Sequence, residues 1–197
     1  MQGNRETFII GIDEAGRGPL AGPVVVAGVK IKPGHARRVL FGIRDSKKLS
    51  PAQREAWYRV LTHHPAIEWA VARVSPMVID RINISAAGNL GARRVYSRLS
   101  LERDSRLSLE SVLVDAGLTL PSSVRYKAII KGDEKIPAVS AASIIAKVTR
   151  DRLMVRTHKK FPLYRFDLHK GYGTVLHRRL LKQHGFSPIH RASFSVR

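Results

Sequence analysis

Short apolar runs bounded by glycine, proline or charged residues recur along the first third of this 197-residue sequence. The run at residues 8–10 ends in a glycine, which predicts a short buried strand with a sharp end. The β-branched residues at 24–29 predict a second strand, and residues 67–74 predict a third. Because two prolines precede the second strand and indicate a tight reversal, we expect the three strands to form an antiparallel meander.

Helical patterns alternate with short strands in the rest of the chain. Ser50 and Pro51 suit the N-cap and the first position of a helix. Gly88 and Gly91 fall inside another helical pattern, so the pattern does not determine the residue at which that helix begins. Strands separated by helices after a meander indicate an α/β fold with a mixed five-stranded sheet flanked by helices. The predicted helices span residues 51–62, 86–101, 137–159 and 176–183, and the predicted further strands span residues 112–114 and 126–130.

Length and composition restrict the classes of protein to which the chain can belong. A chain of 197 residues can form one domain, which typically buries about 70% of its extended surface. The absence of cysteine excludes disulfides and thiolate zinc sites and agrees with the cytoplasm as the expected location. The longest uncharged run has 12 residues, at 18–29, so no membrane span is expected. The first residues lack the pattern of a signal peptide.

The charge of the chain is strongly positive and unevenly distributed. Lys and Arg number 35 against 15 Asp and Glu, a formal charge of +20. From Arg150 to Arg197, 12 Lys and Arg face only Asp151 and Asp167. An excess of this size favours a polyanionic partner over an ordinary solvated basic face. An anionic membrane is the weaker candidate, because no basic amphipathic helix carries Trp or Phe anchors.

Acidic residues stand where three of the predicted strands end. Asp13 and Glu14 follow the first strand, and Asp115 and Asp133 follow the fourth and fifth. If these strands run side by side in one direction, the carboxylates converge at the sheet edge where open α/β sheets bind ligands. Carboxylates without a cysteine or paired-histidine motif suit Mg²⁺ or Mn²⁺. Two such ions about 3.5–4 Å apart can activate a water and stabilise the leaving oxygen in phosphodiester cleavage.

Other interpretations are open for the individual acids. A single Asp after a strand is most often a turn residue that binds backbone amides, which applies to Asp115 and to Asp133 taken alone. Glu134 competes with Asp133 for the fourth position of the constellation. Asp151 lies four residues after Lys147 on a predicted helix, where an intrahelical ion pair is the favoured interpretation.

The segment after the first two acids is rich in glycine. Residues 16–21 formally match the dinucleotide-binding pattern G-x-G-x-x-A, but a strand follows them where that motif requires a helix. The glycines instead allow backbone amides to approach a ligand closely. The chain contains no phosphate-binding G-x-x-x-x-G-K-[ST] motif and no G-x-S-x-G serine motif.

Several of these segments together resemble one known family. The chain is similar along nearly its whole length to the type 2 ribonucleases H, the ribonuclease HII family. The combination of ordered blocks is far more specific than any single block. The blocks are GIDEAGRGPLAGP at 11–23, DSKKLS at 45–50, VD at 114–115, KGD at 131–133, AASIIAKVTRDR at 141–152, HKGYGT at 169–174 and SPIHR at 187–191.

The resemblance implies a fold and a metal site. The implied fold is a ribonuclease H-like catalytic domain over residues 1–160, with a C-terminal helical extension at residues 161–197 packed on it. The resemblance also selects Asp133 over Glu134 and leaves Asp151 outside the metal site. The implied catalytic residues, all ligands of two Mg²⁺ or Mn²⁺ ions, are Asp13, Glu14, Asp115 and Asp133.

The resemblance also implies how substrate is bound. Gly16, Arg17 and Gly18 would read the ribose 2′-hydroxyl. Tyr172 would pack on the sugar of the next deoxynucleotide and so detect an RNA-to-DNA junction; the alternative is a tyrosine packed in the core. The implied phosphate contacts are Lys47, Ser143 and Lys147.

The chain departs from the family pattern at two places. Bacterial members usually have Asp-Gly-Asn where this chain has aspartate, alanine and glycine at 115–117. Residues 85–89 also diverge from the usual sequence, beside Asn83, which either faces nucleic acid or caps the following helix.

These observations predict a monomeric, Mg²⁺- or Mn²⁺-dependent endoribonuclease that acts on RNA hybridised to DNA or embedded in duplex DNA. The resemblance implies a cut on the 5′ side of a ribonucleotide that leaves 3′-hydroxyl and 5′-phosphate ends. The main alternative is a non-catalytic basic nucleic-acid-binding protein, in which the acids are turn residues. A metal-dependent nuclease for DNA alone is a third candidate, and it differs only in ignoring the 2′-hydroxyl.

Overall fold

A computed structural model describes residues 8–43, 46–100 and 110–195 of the chain. Its five strands are Phe8–Ala15 (β1), Val24–Ile31 (β2), Ile67–Val74 (β3), Glu110–Asp115 (β4) and Tyr126–Ile129 (β5). They form one sheet in the order β3-β2-β1-β4-β5. The first three strands pair antiparallel, as the predicted meander requires, whereas β4 runs parallel to β1 and β5 parallel to β4. The predicted mixed five-stranded sheet is therefore confirmed.

Helices cover both faces of this sheet. The four predicted helices are present, with ends shifted by no more than two residues. Asp45, which belongs to the block at 45–50, lies outside the described residues. The helices are Pro33–Val39 (α1), Pro51–His63 (α2), Pro76–Ile82 (α3), Ile84–Leu99 (α4), Gly132–Lys135 (α5), Pro137–Lys160 (α6), Phe166–His169 (α7) and Val175–His184 (α8).

Helix ends follow their local sequence signals. The Ser50 hydroxyl accepts the N–H of Gln53 at 3.2 Å, and the Gln53 side chain accepts the Ser50 N–H at 2.8 Å, which completes a capping box. Helix α3 was not predicted, although Ser75 and Pro76 repeat the same signal and the Ser75 side chain accepts the N–H of Val78. Helix α1 was also not predicted, because its seven residues start without a side-chain cap.

Small residues set the distance between the helices and the sheet. A Cβ added at Gly11 of β1 would lie 2.3 Å from the backbone of Ala138, so α6 can lie directly on the strand. On the other face, a Cβ at Gly91 of α4 would lie 2.4 Å from the Val26 side chain. The Asn83 side chain accepts the N–H of Ala86 at 2.9 Å and caps α4, which accounts for its helix start at residue 84.

The C-terminal segment packs beside the loop that follows β1. Leu20 and Ala21 share a buried apolar cluster with Met154, Phe166 and Leu181. The Leu20 N–H donates to the carbonyl of residue 171 at 2.8 Å, and the Leu20 carbonyl accepts the N–H of residue 191 at 2.8 Å. None of the helices among the described residues combines the length and the apolar character needed to cross a bilayer.

Candidate metal centre and nucleic-acid site

Three acidic side chains meet at the carboxyl ends of β1 and β4. Asp13 and Glu14 lie near the end of β1, and Asp115 is the last residue of β4. The two strands are parallel, with Ile12 opposite Val114, so the acids that follow these residues are neighbours. One carboxylate oxygen from each acid lies within 4.8 Å of the others. The predicted convergence at the sheet edge is confirmed for these three acids.

Asp133 lies outside this group of three and does not follow a strand directly. β5 ends at Ile129, and Asp133 belongs to the four-residue helix α5. Its buried carboxylate accepts a hydrogen bond from Lys47 Nζ at 2.9 Å. The N–H of the preceding Gly132 donates to Asp115 Oδ1 at 2.9 Å, which attaches this turn to the acid group. Ligation of a metal by Asp133 therefore stays a prediction, with the residue held beside the site.

Burial makes the carboxylate pair on β1 costly to ionise. Burial is the main cause that raises the pKa of Asp13 well above its ordinary value, and the negative charge of Glu14 adds to the shift. Hydrogen bonds from Ser143 and the Glu14 amide act in the opposite direction and lower this pKa. Burial also raises the pKa of Glu14, and the positive charge of Arg17 opposes that shift. Among the described residues, buried Glu14 Oε2 has no hydrogen-bond partner. A divalent cation would supply that partner and offset the repulsion, so the residues present fit Mg²⁺ or Mn²⁺.

Arg17 connects the acid group to the loop after β4. Its guanidinium lies 3.5 Å from Glu14 Oε1 and donates to the carbonyl of Gly117 at 2.9 Å and to Ser85 Oγ at 3.2 Å. A Cβ at Gly117 would lie 3.0 Å from Glu14 Oε1. Glycine at 117, where bacterial members usually have asparagine, thus leaves room beside Glu14, and its backbone carbonyl orients Arg17.

A cavity brings most of the predicted substrate-binding residues to the acids. Asp133 and Gly18 do not line it, and a Cβ at Gly18 would meet no atom within 4 Å, so the backbone there faces open space. The side chains of Ser143 and Ser46 share a buried hydrogen bond of 2.8 Å. The cavity is lined by Asp13, Glu14, Ala15, Gly16, Arg17, Ser46, Lys47, Asp115, Ser143, Lys147 and Tyr172.

Tyr172 lines this cavity and is 39% exposed, so it is not packed in the core. Lys147 Nζ lies 5.3 Å from the ring centroid, and the Arg150 guanidinium lies 5.5 Å from it. Lys147 also pairs with Asp151 at 2.9 Å, which confirms the predicted intrahelical ion pair. An exposed aromatic face among cations is the arrangement that stacks on nucleic acid.

Sequence comparison identifies the family. The sequence model of ribonuclease HII matches residues 10–197. The chain belongs to the ribonuclease HII family. It is 44% identical over 190 residues to the ribonuclease HII of Janthinobacterium sp. (strain Marseille), which covers 96% of this chain and 86% of that protein. The ribonuclease HII of Caldicellulosiruptor bescii is 45% identical to it over 188 residues, which cover 95% of this chain and 86% of that protein.

A solved structure supports the same assignment. The chain superposes on the structure of the PCNA:RNase HII complex from Archaeoglobus fulgidus with a TM-score of 0.76 and 31% identity, covering 96% of each chain. The ribonuclease H-like fold and the enzyme class predicted from the sequence are therefore confirmed. The chain is a ribonuclease H, a hydrolase that cleaves nucleic acid internally.

Sequence reasoning missed a buried histidine network in this ribonuclease HII. His177 Nδ1 donates to the Tyr172 carbonyl at 2.9 Å, so its Nε2 accepts from His190 Nε2 at 3.0 Å. His190 Nδ1 in turn accepts the N–H of Ser187 at 2.8 Å. This pattern requires both histidines to be neutral, and burial lowers the pKa of each to about 4. No local pattern signals the network, because its members come together only in the fold.

The network makes stability depend on pH. Between the ordinary pKa of 6.5 and the folded value of about 4, falling pH protonates His177 only in the unfolded chain. The free energy of unfolding should therefore fall over this range, by on the order of 3 kcal/mol for one histidine. His177→Asn retains a donor for the Tyr172 carbonyl and should flatten the pH dependence measured by denaturant unfolding. The exposed-residue variant His35→Asn is the control and should keep the wild-type slope; a wild-type slope in His177→Asn would contradict the prediction.

Proposed function

We propose that this enzyme cleaves the RNA strand of RNA/DNA hybrids and also cuts at single ribonucleotides embedded in duplex DNA. The observation that best supports the proposal is one cavity lined by the three converging carboxylates and by Arg17, Lys147 and the exposed Tyr172. The +20 formal charge of the chain supports a polyanionic substrate at this site. Acids that served only as turn residues would not need to converge at one edge of the sheet.

Two divalent ions, Mg²⁺ or Mn²⁺, are proposed as cofactors. Asp13, Glu14 and Asp115 would hold them, with Asp133 as the fourth ligand from the adjoining turn. When bound, such ions activate the attacking water and stabilise the departing 3′-oxygen. Lys47 keeps the Asp133 carboxylate next to the site while its own side chain is 80% exposed, a position suited to a phosphate contact.

Selection of a ribonucleotide is proposed to come from two segments at the cavity, residues 16–18 and the segment that carries Tyr172. Backbone groups of residues 16–18 would hydrogen-bond the ribose 2′-hydroxyl. A site built for a hydroxyl rejects the deoxy analogue strongly, because its polar groups are then left unpaired. The Tyr172 ring would pack on the sugar of the next nucleotide, where a flat contact leaves no space for a second 2′-hydroxyl.

The proposal is tested with three labelled duplexes of one sequence: an RNA/DNA hybrid, an all-RNA duplex and an all-DNA duplex. In Mg²⁺ or Mn²⁺, only the RNA strand of the hybrid should be cut, and chelation with EDTA should stop cleavage. Binding of all three without turnover would favour a non-catalytic binding protein. Cleavage of the all-DNA duplex at the same rate would favour a nuclease that ignores the 2′-hydroxyl.

The basic surface predicts a strong salt dependence of binding. In EDTA, the logarithm of the affinity for the hybrid should fall with the logarithm of salt concentration, with a slope of about −0.9 per phosphate neutralised. Lys47→Gln should make that slope less negative by about 0.9, the contribution of one phosphate, because it removes one exposed cation at the cavity. Fluorescence anisotropy over a salt series measures both. A slope near zero in the wild type would mean that the basic surface does not bind the substrate.

A further inference from the structure

Two arginines lie fully buried behind the cavity. Arg150 and Arg191 both have 0% exposure. Within the described ranges 8–43, 46–100 and 110–195, neither guanidinium has a carboxylate within ion-pair distance. Burial lowers the pKa of Arg191 to about 9, and the charge of Arg150 acts in the same direction. Two charges buried side by side are expensive unless hydrogen-bond acceptors meet them, and here backbone carbonyls do so.

Arg191 binds the backbone of the segment proposed to read the 2′-hydroxyl. Its guanidinium donates to the Gly16 carbonyl at 2.6 Å, to the Arg17 carbonyl at 2.8 Å and to the Gly22 carbonyl at 2.9 Å. All three bonds come from one rigid planar group. The position of residues 16–17 is therefore fixed from behind by a side chain near the other end of the chain.

Arg150 joins that segment to the one that carries Tyr172. Its guanidinium donates to the carbonyls of Ala21, Pro23 and Lys170 at 3.0–3.1 Å. Gly16 packs directly on it, because a Cβ there would lie 2.1 Å from Arg150 Nε, and a φ of +95° also favours glycine. The same guanidinium lies 5.5 Å from the Tyr172 ring centroid.

We propose that Arg150 and Arg191 are positioning residues that set the distance between segment 16–18 and segment 170–173. This proposal rests on the proposed function, in which the two segments contact successive sugars. A ribonucleotide followed by a deoxynucleotide is recognised only if both contacts are made at once. The spacing that the two guanidinium groups hold thus sets the preference for an RNA-to-DNA junction over a continuous hybrid.

The chemistry of the side chain makes the proposal specific. A guanidinium presents several donors in a fixed plane and can hold three carbonyls at once, whereas a lysine ammonium is a point charge on a flexible stem. Arg191→Lys therefore keeps the positive charge but cannot hydrogen-bond all three backbone carbonyls in their present positions. A displacement of about 1 Å in a group that positions substrate can lower a rate by about 100-fold, so a small shift of either segment should be measurable.

The test measures kcat and KM on two substrates, a duplex with one embedded ribonucleotide and a continuous RNA/DNA hybrid. In Arg191→Lys and Arg150→Lys, the ratio of kcat/KM on the first substrate to that on the second should fall by about tenfold or more. Arg54→Lys is the matched control: Arg54 also donates to two carbonyls, those of Ser46 and Leu49, but touches neither segment. It should keep the wild-type ratio.

A milder variant covers the case in which a buried arginine cannot be replaced without unfolding. Asp80 accepts the N–H groups of Ala192 and Ser193 at 3.0 Å and anchors the chain next to Arg191 from the surface. Asp80→Ala should fold and shift the substrate ratio in the same direction by a smaller factor. If Asp80→Ala and every arginine variant that folds keep the wild-type ratio of kcat/KM on the two substrates, the positioning role is overturned. The proposed function would be unaffected by that result. A wild-type enzyme that does not cut the embedded ribonucleotide would overturn the proposed function itself.

Discussion

Asp115→Asn is expected to lower cleavage by about a thousand-fold or more, because a ligand that stabilises the transition state through metal ions contributes several kcal/mol. Asparagine keeps the size of the side chain and removes the charge that would attract the proposed ions. It also keeps an oxygen acceptor for the Gly132 N–H, which now donates to Asp115 Oδ1 at 2.9 Å. The variant should therefore fold. Single-turnover cleavage of the hybrid in Mg²⁺ measures the effect.

The same variant should be at least as stable as the wild type without metal. The charge of Asp115 contributes to the raised pKa of both Asp13 and Glu14, so its removal relieves repulsion within the group. Denaturant unfolding in EDTA checks this expectation, and Mn²⁺ titration should show weakened binding. Glu134→Gln is the control, since Glu134 pairs with Lys48 and Lys131 outside the acid group. Near-wild-type cleavage by Asp115→Asn would exclude Asp115 as a ligand.

Tyr172→Ala is expected to lower cleavage at a single embedded ribonucleotide by about ten- to a hundredfold, as lost stacking of an aromatic ring on a nucleotide implies. The loss on a continuous hybrid should be smaller, because the junction contact is absent there. The ring is 39% exposed, so its removal leaves little void in the core. Comparison of kcat/KM on the two substrates measures the difference.

Tyr172→Phe separates the ring from the hydroxyl and should behave like the wild type on both substrates. The backbone carbonyl of Tyr172, which accepts from His177, is retained in each variant. Equal losses of Tyr172→Ala on both substrates would remove Tyr172 from junction recognition. A drop in thermal stability large enough to explain the loss would assign the ring a structural role instead.

The strands and the first acids could be predicted because their signals are local. Apolar runs that end in an acid and a glycine mark Asp13 and Asp115 without knowledge of the fold. Asp133 was harder to place, because the chain continues after Ile129 into a short helix, and the acid lies beside the acid group on that helix and not at a strand end. Its selection over Glu134 came from family resemblance alone.

The supporting residues could not be predicted, since their partners are distant in the sequence. Arg191 binds the carbonyl of Gly16, 175 residues away, and Arg150 binds that of Ala21, 129 residues away. In the sequence, both look like members of a basic C-terminal region suited to phosphate binding. The fold buries them instead, and only the three-dimensional structure distinguishes an arginine that contacts backbone from one that contacts substrate.

Cleavage of a duplex DNA that contains one ribonucleotide is the decisive measurement for metal-dependent cutting that requires a ribose 2′-hydroxyl. The duplex is incubated with the enzyme and Mg²⁺ beside an all-DNA control, and the products are mapped at nucleotide resolution. We expect one cut, on the 5′ side of the ribonucleotide, with 3′-hydroxyl and 5′-phosphate ends, no cut in the control and no cut by Asp115→Asn. Binding of the ribonucleotide duplex without cleavage, or equal cleavage of the all-DNA control, would contradict it.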